Sequence, residues 1–189
     1  MEPEESTEEL PHLALCVLDV QDSFTRTISW PENYEKRISF AIEAAKLLNI
    51  PTLFTQQVPN KLGPAKEELT KLAGEDASVF SKTSFSALRN PDVINYLEAH
   101  AIHHLLITGL EIPICVYQTI IDALRNDMEA TLLTDCSAAR RPEDGQHIIA
   151  SLRQHEVTCL PSEALFYSIV GDAQHSAFRD LTRLVKSYS

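Results

Sequence analysis

The sequence predicts an α/β fold of the three-layer αβα, Rossmann-like kind, built on a mainly parallel sheet. Two observations carry that expectation. Short apolar runs of strand length alternate with segments of helical spacing along residues 12–189, the rhythm of successive right-handed βαβ units. The first of these runs, HLALCVLDV at residues 12–20, is apolar almost without a break, as suits a strand buried on both faces.

Each element follows from local chemistry. After the first strand, Ile38, Ala41, Ile42, Ala45 and Leu48 recur at helical spacing. Asn49, Ile50 and Pro51 stop that helix, and residues 52–57 read as a short strand. Residues 58–77 hold Gly63, Pro64 and several charges, and read as a loop with one or two exposed helical turns. A weak third strand covers 79–82. Asn90 and Pro91, a capping side chain followed by a first-turn proline, open a helix to about His100. Strands at 103–109 (HHLLITG), 130–134 and 157–160 alternate with helices at 113–126 and 142–155. Ser162 is expected to cap a last helical region, broken at Gly171 and resuming with Phe178, Leu181, Leu184 and Val185 on one face.

At 189 residues the chain is long enough for one complete core. Residues 12–189 read as that domain; residues 1–11, with five glutamates, read as an acidic tail. Acidic residues outnumber basic ones 27 to 16, a net charge of −11. Such a surface repels phosphate backbones and anionic membranes, so neither nucleic acid nor membrane is an expected partner. The start has no signal-like pattern, and the four cysteines show no paired spacing, which together read as a cytoplasmic protein. Only five glycines are present, none in a phosphate-cradling pattern, and the seven histidines form no ligand cluster. No cofactor or metal is expected.

Three side chains stand at the ends of strand-like runs. Asp19 ends the first: a turn former in one reading, a functional carboxylate in the other. Lys82 ends the third, where an isolated lysine is ordinarily a solvated edge residue. Cys115 begins a helix behind Pro113. Unpaired N–H groups and the helix dipole there lower a thiol's pKa and can hold an oxyanion; the alternative is a small buried hydrophobe. Cys16 and Cys159 read as buried hydrophobes, and Cys136 as intermediate. No histidine is placed for a papain-like pair. Trp30, beside Pro31, reads as a lid or interface aromatic or as packing.

Taken together these segments resemble the isochorismatase-like cysteine hydrolases, and most of all their isochorismatase domain-containing subgroup. Asp19, Gln21 and Phe24 match the opening D-x-Q-x-x-F motif. SKTSFS, from Ser81, is similar to the family's lysine segment, and GLEIPICVYQT, from Gly109, to its nucleophile segment. The resemblance implies strand order 3-2-1-4-5-6 and a catalytic triad of Asp19, Lys82 and Cys115. It also implies a cis peptide at Leu110–Glu111, turning the Glu111 N–H toward the Cys115 N–H as an oxyanion hole. Phe24 and Phe85 are either walls of the substrate pocket or core. The implied chemistry is acyl transfer: a small amide or ureide cleaved through a Cys115 thioester by an enzyme acting, as its relatives do, as a dimer or higher homo-oligomer. The nicotinamidases' Asp-x-His metal site has no counterpart at residues 55–58 (TQQV). The competing expectation is a non-catalytic oligomeric module working through protein contacts.

Overall fold

The first strand, buried on both faces, organises everything else. The computed structural model describes residues 12–75 and 77–189; the stretch read as an acidic tail, 1–11, lies outside them. In chain order the elements are β1 (Leu13–Leu18), α1 (Asp22–Thr25), α2 (Tyr34–Leu47), β2 (Thr52–Gln57), α3 (Pro59–Leu62), α4 (Glu67–Ala73) and β3 (Ser78–Lys82). A 3-10 turn (Ala87–Arg89) leads to α5 (Pro91–Ala99) and β4 (His104–Leu110). A π-helical turn (Ile112–Val116) then feeds α6 (Tyr117–Arg125), followed by β5 (Glu129–Ala138), α7 (Pro142–Gln154), β6 (Thr158–Leu160), α8 (Ser162–Val170) and α9 (Phe178–Tyr188).

The six strands are all parallel, in the order β3-β2-β1-β4-β5-β6. In β1, Leu15 and Val17 face a core shared with α2, α8 and α9, whereas Ala14, Cys16 and Leu18 face a second core with α5, α6 and α7. This period-two division is why the run is apolar throughout: a strand inside a doubly covered sheet has no solvent face. In the first core Phe40 meets Phe166 edge-on at 5.9 Å and Tyr188 at 5.9 Å. No helix among the described residues is long and apolar enough to cross a membrane.

The caps follow chemistry the sequence shows. Asn49 takes a left-handed φ of 55° after α2, and Ile50 N–H returns to Ala45 O at 2.8 Å. The Asn90 side chain accepts from the Asp92 N–H at 3.0 Å, opening α5 as expected. Three boundaries differ from the sequence reading. A short helix, α1, begins directly after Gln21, ahead of the first helix read from the spacing of Ile38 to Leu48. β5 runs four residues past Thr134, because a register shift against β4 between Ile107 and Gly109 lets pairing resume at Ser137 and Ala138. Ser162 does not cap α8: the Asp135 carboxylate accepts from the Ser162 N–H at 2.7 Å and its hydroxyl at 2.8 Å, and Ser162 is the first helical residue. Trp30 serves packing, since its ring lies so close to Gly145 on α7 that a Cβ there would stand 2.5 Å from it.

Gly109 is the backbone position the sheet cannot do without. Its φ is +127°, and a Cβ would sit 2.1 Å from Leu18 O on the neighbouring strand. Gly109→Ala is therefore expected to cost about 3 kcal/mol or more through strain and overpacking. Thermal melts should show Tm lowered by roughly 6–12 °C; an unchanged Tm would contradict the reading.

Candidate active site

Strand order and backbone twist bring three strand ends into one place. At a topological switch, loops leaving adjacent strands diverge and open a crevice at the carboxyl edge; here the switch lies between β1 and β4. Asp19, the first residue past β1, has φ 53°, a conformation rare for a side-chain-bearing residue. It is held there by its own N–H on Thr55 O at 3.1 Å and by Thr55 Oγ1, which donates to Asp19 Oδ1 at 2.8 Å.

Lys82 ends β3, two strands away, and reaches inward across β2. Its Nζ donates to Asp19 Oδ2 at 2.7 Å, to Gln57 Oε1 at 2.6 Å, and to the carbonyls of Phe85 at 3.0 Å and Ser84 at 3.2 Å. The side chains of Lys82 and Asp19 are 0% and 1% exposed. This is not the solvated edge lysine of the ordinary reading. Cys115 Sγ lies 3.7 Å from Lys82 Nζ. The structure thus brings Asp19, Lys82 and Cys115 together.

The turn that presents Cys115 differs from the expected one. The cis peptide among the described residues is Trp30–Pro31, and Leu110–Glu111 is trans. The reversal is made instead by Gly109 at φ 127° and Glu111 at φ 60°. Glu111 O then accepts from Ile114 N–H at 2.8 Å and Val116 N–H at 3.4 Å, so the turn is π-wound. The Glu111 N–H has no hydrogen-bond acceptor among the described residues. Thr119 Oγ1 ties the turn down, donating to Cys115 O at 2.7 Å and accepting from Ala87 N–H at 3.0 Å.

Cys115 borders a cavity of about 340 Å³, whose walls include Phe24, Phe85, Gln57, Glu111, Ile114 and Arg140. Phe24 and Phe85 are therefore both cavity walls, and Phe85 is 52% exposed rather than core. Three contributors, Thr55, Gln57 and Arg140, escaped the sequence reading. Thr55, Gln57 and Gln21 form the polar cradle: Gln21 Oε1 accepts from Gln57 N–H at 2.7 Å and its Nε2 donates to Gln57 O at 3.1 Å. Two glutamines ending an apolar strand were the available signal. Arg140 was missed because β5 was expected to end at Thr134.

Electrostatics overturn one expectation. Burial pushes the Cys115 thiol up to about 12; the Asp19 carboxylate pushes the same way, and the Lys82 ammonium opposes without prevailing. A dipole-lowered thiol was expected, but a nearly enclosed sulfur beside a carboxylate keeps its proton. Burial also raises Cys16 to about 12, raises Cys136 well above the usual thiol range, and raises Cys159.

Comparison with known proteins agrees with this architecture. Residues 13–164 match the family described as Isochorismatase domain. Isochorismatase domain-containing protein 2 of Bos taurus is 32% identical over 181 residues, covering 94% of this chain and 83% of its own. A solved structure described as the MAR1 ribonuclease from Caenorhabditis elegans superposes with a TM-score of 0.86 at 27% identity, over 93% of this chain and 90% of that one. The Escherichia coli YcaC product, described as an octameric hydrolase of unknown specificity, has a TM-score of 0.74 at 18% identity, over 94% and 93% of the two chains.

The charge balance at the thiol can be read directly. In the free protein, alkylation of Cys115 by a small neutral reagent should be slow at pH 7 and still rising above pH 9. Asp19→Asn removes the raising charge and leaves Lys82 unopposed, so alkylation at pH 7 should accelerate. Mass-spectrometric rates that fall instead would show that the carboxylate does not hold the proton on sulfur.

Proposed function

The chain belongs to the isochorismatase domain family, and we propose that it is a metal-independent cysteine hydrolase cleaving a small amide or ureide. One observation carries the proposal: a buried, fully partnered Lys82–Asp19 pair standing 3.7 Å from a thiol that opens onto a cavity. Burying two charges costs several kcal/mol per ion before pairing, and packing alone is better served by apolar side chains. Beside a nucleophile, the same pair supplies a proton acceptor and a fixed cation.

In the proposed reaction the substrate carbonyl enters the cavity against Cys115. The thiol proton passes to the Asp19 carboxylate as sulfur attacks the carbonyl carbon, so a free thiolate need not accumulate. Lys82 stays charged and stabilises the sulfur while the proton is away. The carbonyl oxygen takes up negative charge, and the N–H groups of Glu111 and Cys115 receive it. The C–N bond then breaks, Asp19 returns its proton to the leaving nitrogen, and a thioester remains on Cys115. Water, giving a proton to Asp19, attacks that thioester; the C–S bond breaks, the acid leaves, and Asp19 returns the proton to the departing sulfur. A sulfur whose pKa is high in the empty site fits this order, because proton transfer and attack occur together.

Retention of a thiol at the centre of the site favours this chemistry over vinyl-ether cleavage, which does not require one. We also propose that the protein works as a dimer or higher oligomer. Exposed Phe85 beside the cavity and exposed Val79 on the edge strand β3 support that reading.

Turnover should be sought across small amides and ureides, with an RNA substrate in the same screen because of the ribonuclease description of one similar structure. Cys115→Ala should reduce amide turnover at least about a thousandfold while leaving the melting curve near wild type. Cys115→Ser and Asp19→Asn should be nearly as inactive, whereas alanine at Cys16, Cys136 or Cys159 should mainly lower stability. Undiminished turnover by Cys115→Ala, or cleavage of RNA alone, would overturn the mechanism. Light scattering at micromolar concentration should give at least twice the monomer mass; a monomer would refute the assembly.

A further inference from the structure

The structure assigns Arg140 a role in substrate selection: it receives an anionic group, a carboxylate held near the scissile amide. The assignment deepens the hydrolase reading of Cys115 and rests on it for the identity of the second group in the ligand.

Among the described residues lining the Cys115 cavity, Arg140 alone is basic. Lys82 cannot take the part, since its ammonium is wholly buried and committed to Asp19, Gln57 and two backbone carbonyls. Arg140 is different. Its Nε edge pairs with the Glu111 carboxylate, which is 7% exposed, while the arginine side chain itself is 57% exposed. A guanidinium has five N–H donors in a rigid fork. Nε stands in ion-pair contact with Glu111 Oε1, which forms no hydrogen bond among the described residues, so the guanidinium's N–H donors stay unspent. A carboxylate accepts two parallel N–H bonds from such an edge, a geometry that also fixes the orientation of the bound molecule.

The position of the pair matters as much as its charge. Glu111 belongs to the turn that carries Cys115, so the arginine it anchors is registered against the reacting sulfur. A cavity of about 340 Å³ lies at the small end of ligand sites, leaving room for an amide and one anchoring group. The protein's net charge of −11 opposes the approach of anions, so affinity for one must come from a local, fixed cation. If Arg140 only neutralised Glu111, the cavity would not distinguish an acid from its neutral counterpart.

That distinction is measurable with succinamate, the monoamide of succinic acid, and butyramide, which is of similar size and lacks the carboxylate. Calorimetry on the Cys115→Ala protein should give succinamate at least about tenfold tighter binding. In the active protein the preference should lie in KM rather than kcat. Arg140→Gln should bring the ratio of the two affinities close to one, and Arg140→Lys should keep part of it, because charge remains but the fork is lost. Equal binding of the two amides, a preference that survives Arg140→Gln, or no saturable binding of succinamate at millimolar concentration would each overturn the assignment. Should Arg140→Gln not fold, Arg140→Lys decides: a reduced ratio supports the role and an unchanged one removes it. Selective binding of succinamate without hydrolysis would sink the Cys115 mechanism and leave Arg140 standing. Hydrolysis of both amides without discrimination would do the reverse.

Discussion

An ammonium group moved out of water needs oxygen on every side, and the carboxyl edge of this sheet is arranged around that need. Lys82 Nζ takes a carboxylate oxygen from the loop after β1, an amide oxygen from the end of β2, and two carbonyls from its own loop. Withdrawing one partner of such a buried pair costs about 3–5 kcal/mol, so these loops are not independent of one another. The strand order β3-β2-β1-β4 is what allows it, since it sets the lysine strand, the amide strand, the carboxylate strand and the thiol strand side by side. The fold places the ends, and the charge fixes how they meet.

Among the side-chain-bearing residues at that edge with left-handed backbone conformations are Asp19 at φ 53° and Glu111 at φ 60°. Each such conformation costs on the order of 1–3 kcal/mol and persists only where the surroundings enforce it. Asp19 is enforced by Thr55 and Lys82, and Glu111 by Arg140 and the π-wound turn. Both follow strands that touch along their whole length, β1 and β4, and Gly109 permits the contact at the last rung. Strain, close approach and the candidate site thus share a few residues at this edge.

The sheet was legible because burial on both faces writes itself into composition. HLALCVLDV and HHLLITG are apolar runs that no exposed strand or loop would tolerate, and the helices between them carry plain spacing. The family resemblance added the strand order, and it singled out the three residues that converge at the switch point. What stayed hidden was decided by contacts between segments distant in sequence. A bulge against β4 lengthens β5 and carries Arg140 to the cavity, and nothing in the local sequence marks it. Asp135 caps a helix 27 positions downstream, which no window along the chain can register. The thiol's environment was misjudged for the same reason: a dipole argument is local, while the opposing carboxylate comes from another strand. The expected cis peptide failed on backbone detail, since Glu111 reverses the chain through φ instead.

A thiol held protonated, as the proposed mechanism has it, carries a consequence beyond that mechanism. Peroxide attacks the thiolate, and susceptible cysteines are those with low pKa and open access. Cys115 combines partial enclosure with a pKa pushed to about 12, so in the free protein it presents little of the reactive form. In the proposed mechanism, the arrangement that delays ionisation until attack would also shield Cys115 from oxidative loss. Durability under oxidant stress would then be a by-product of burial first and of the Asp19 carboxylate second.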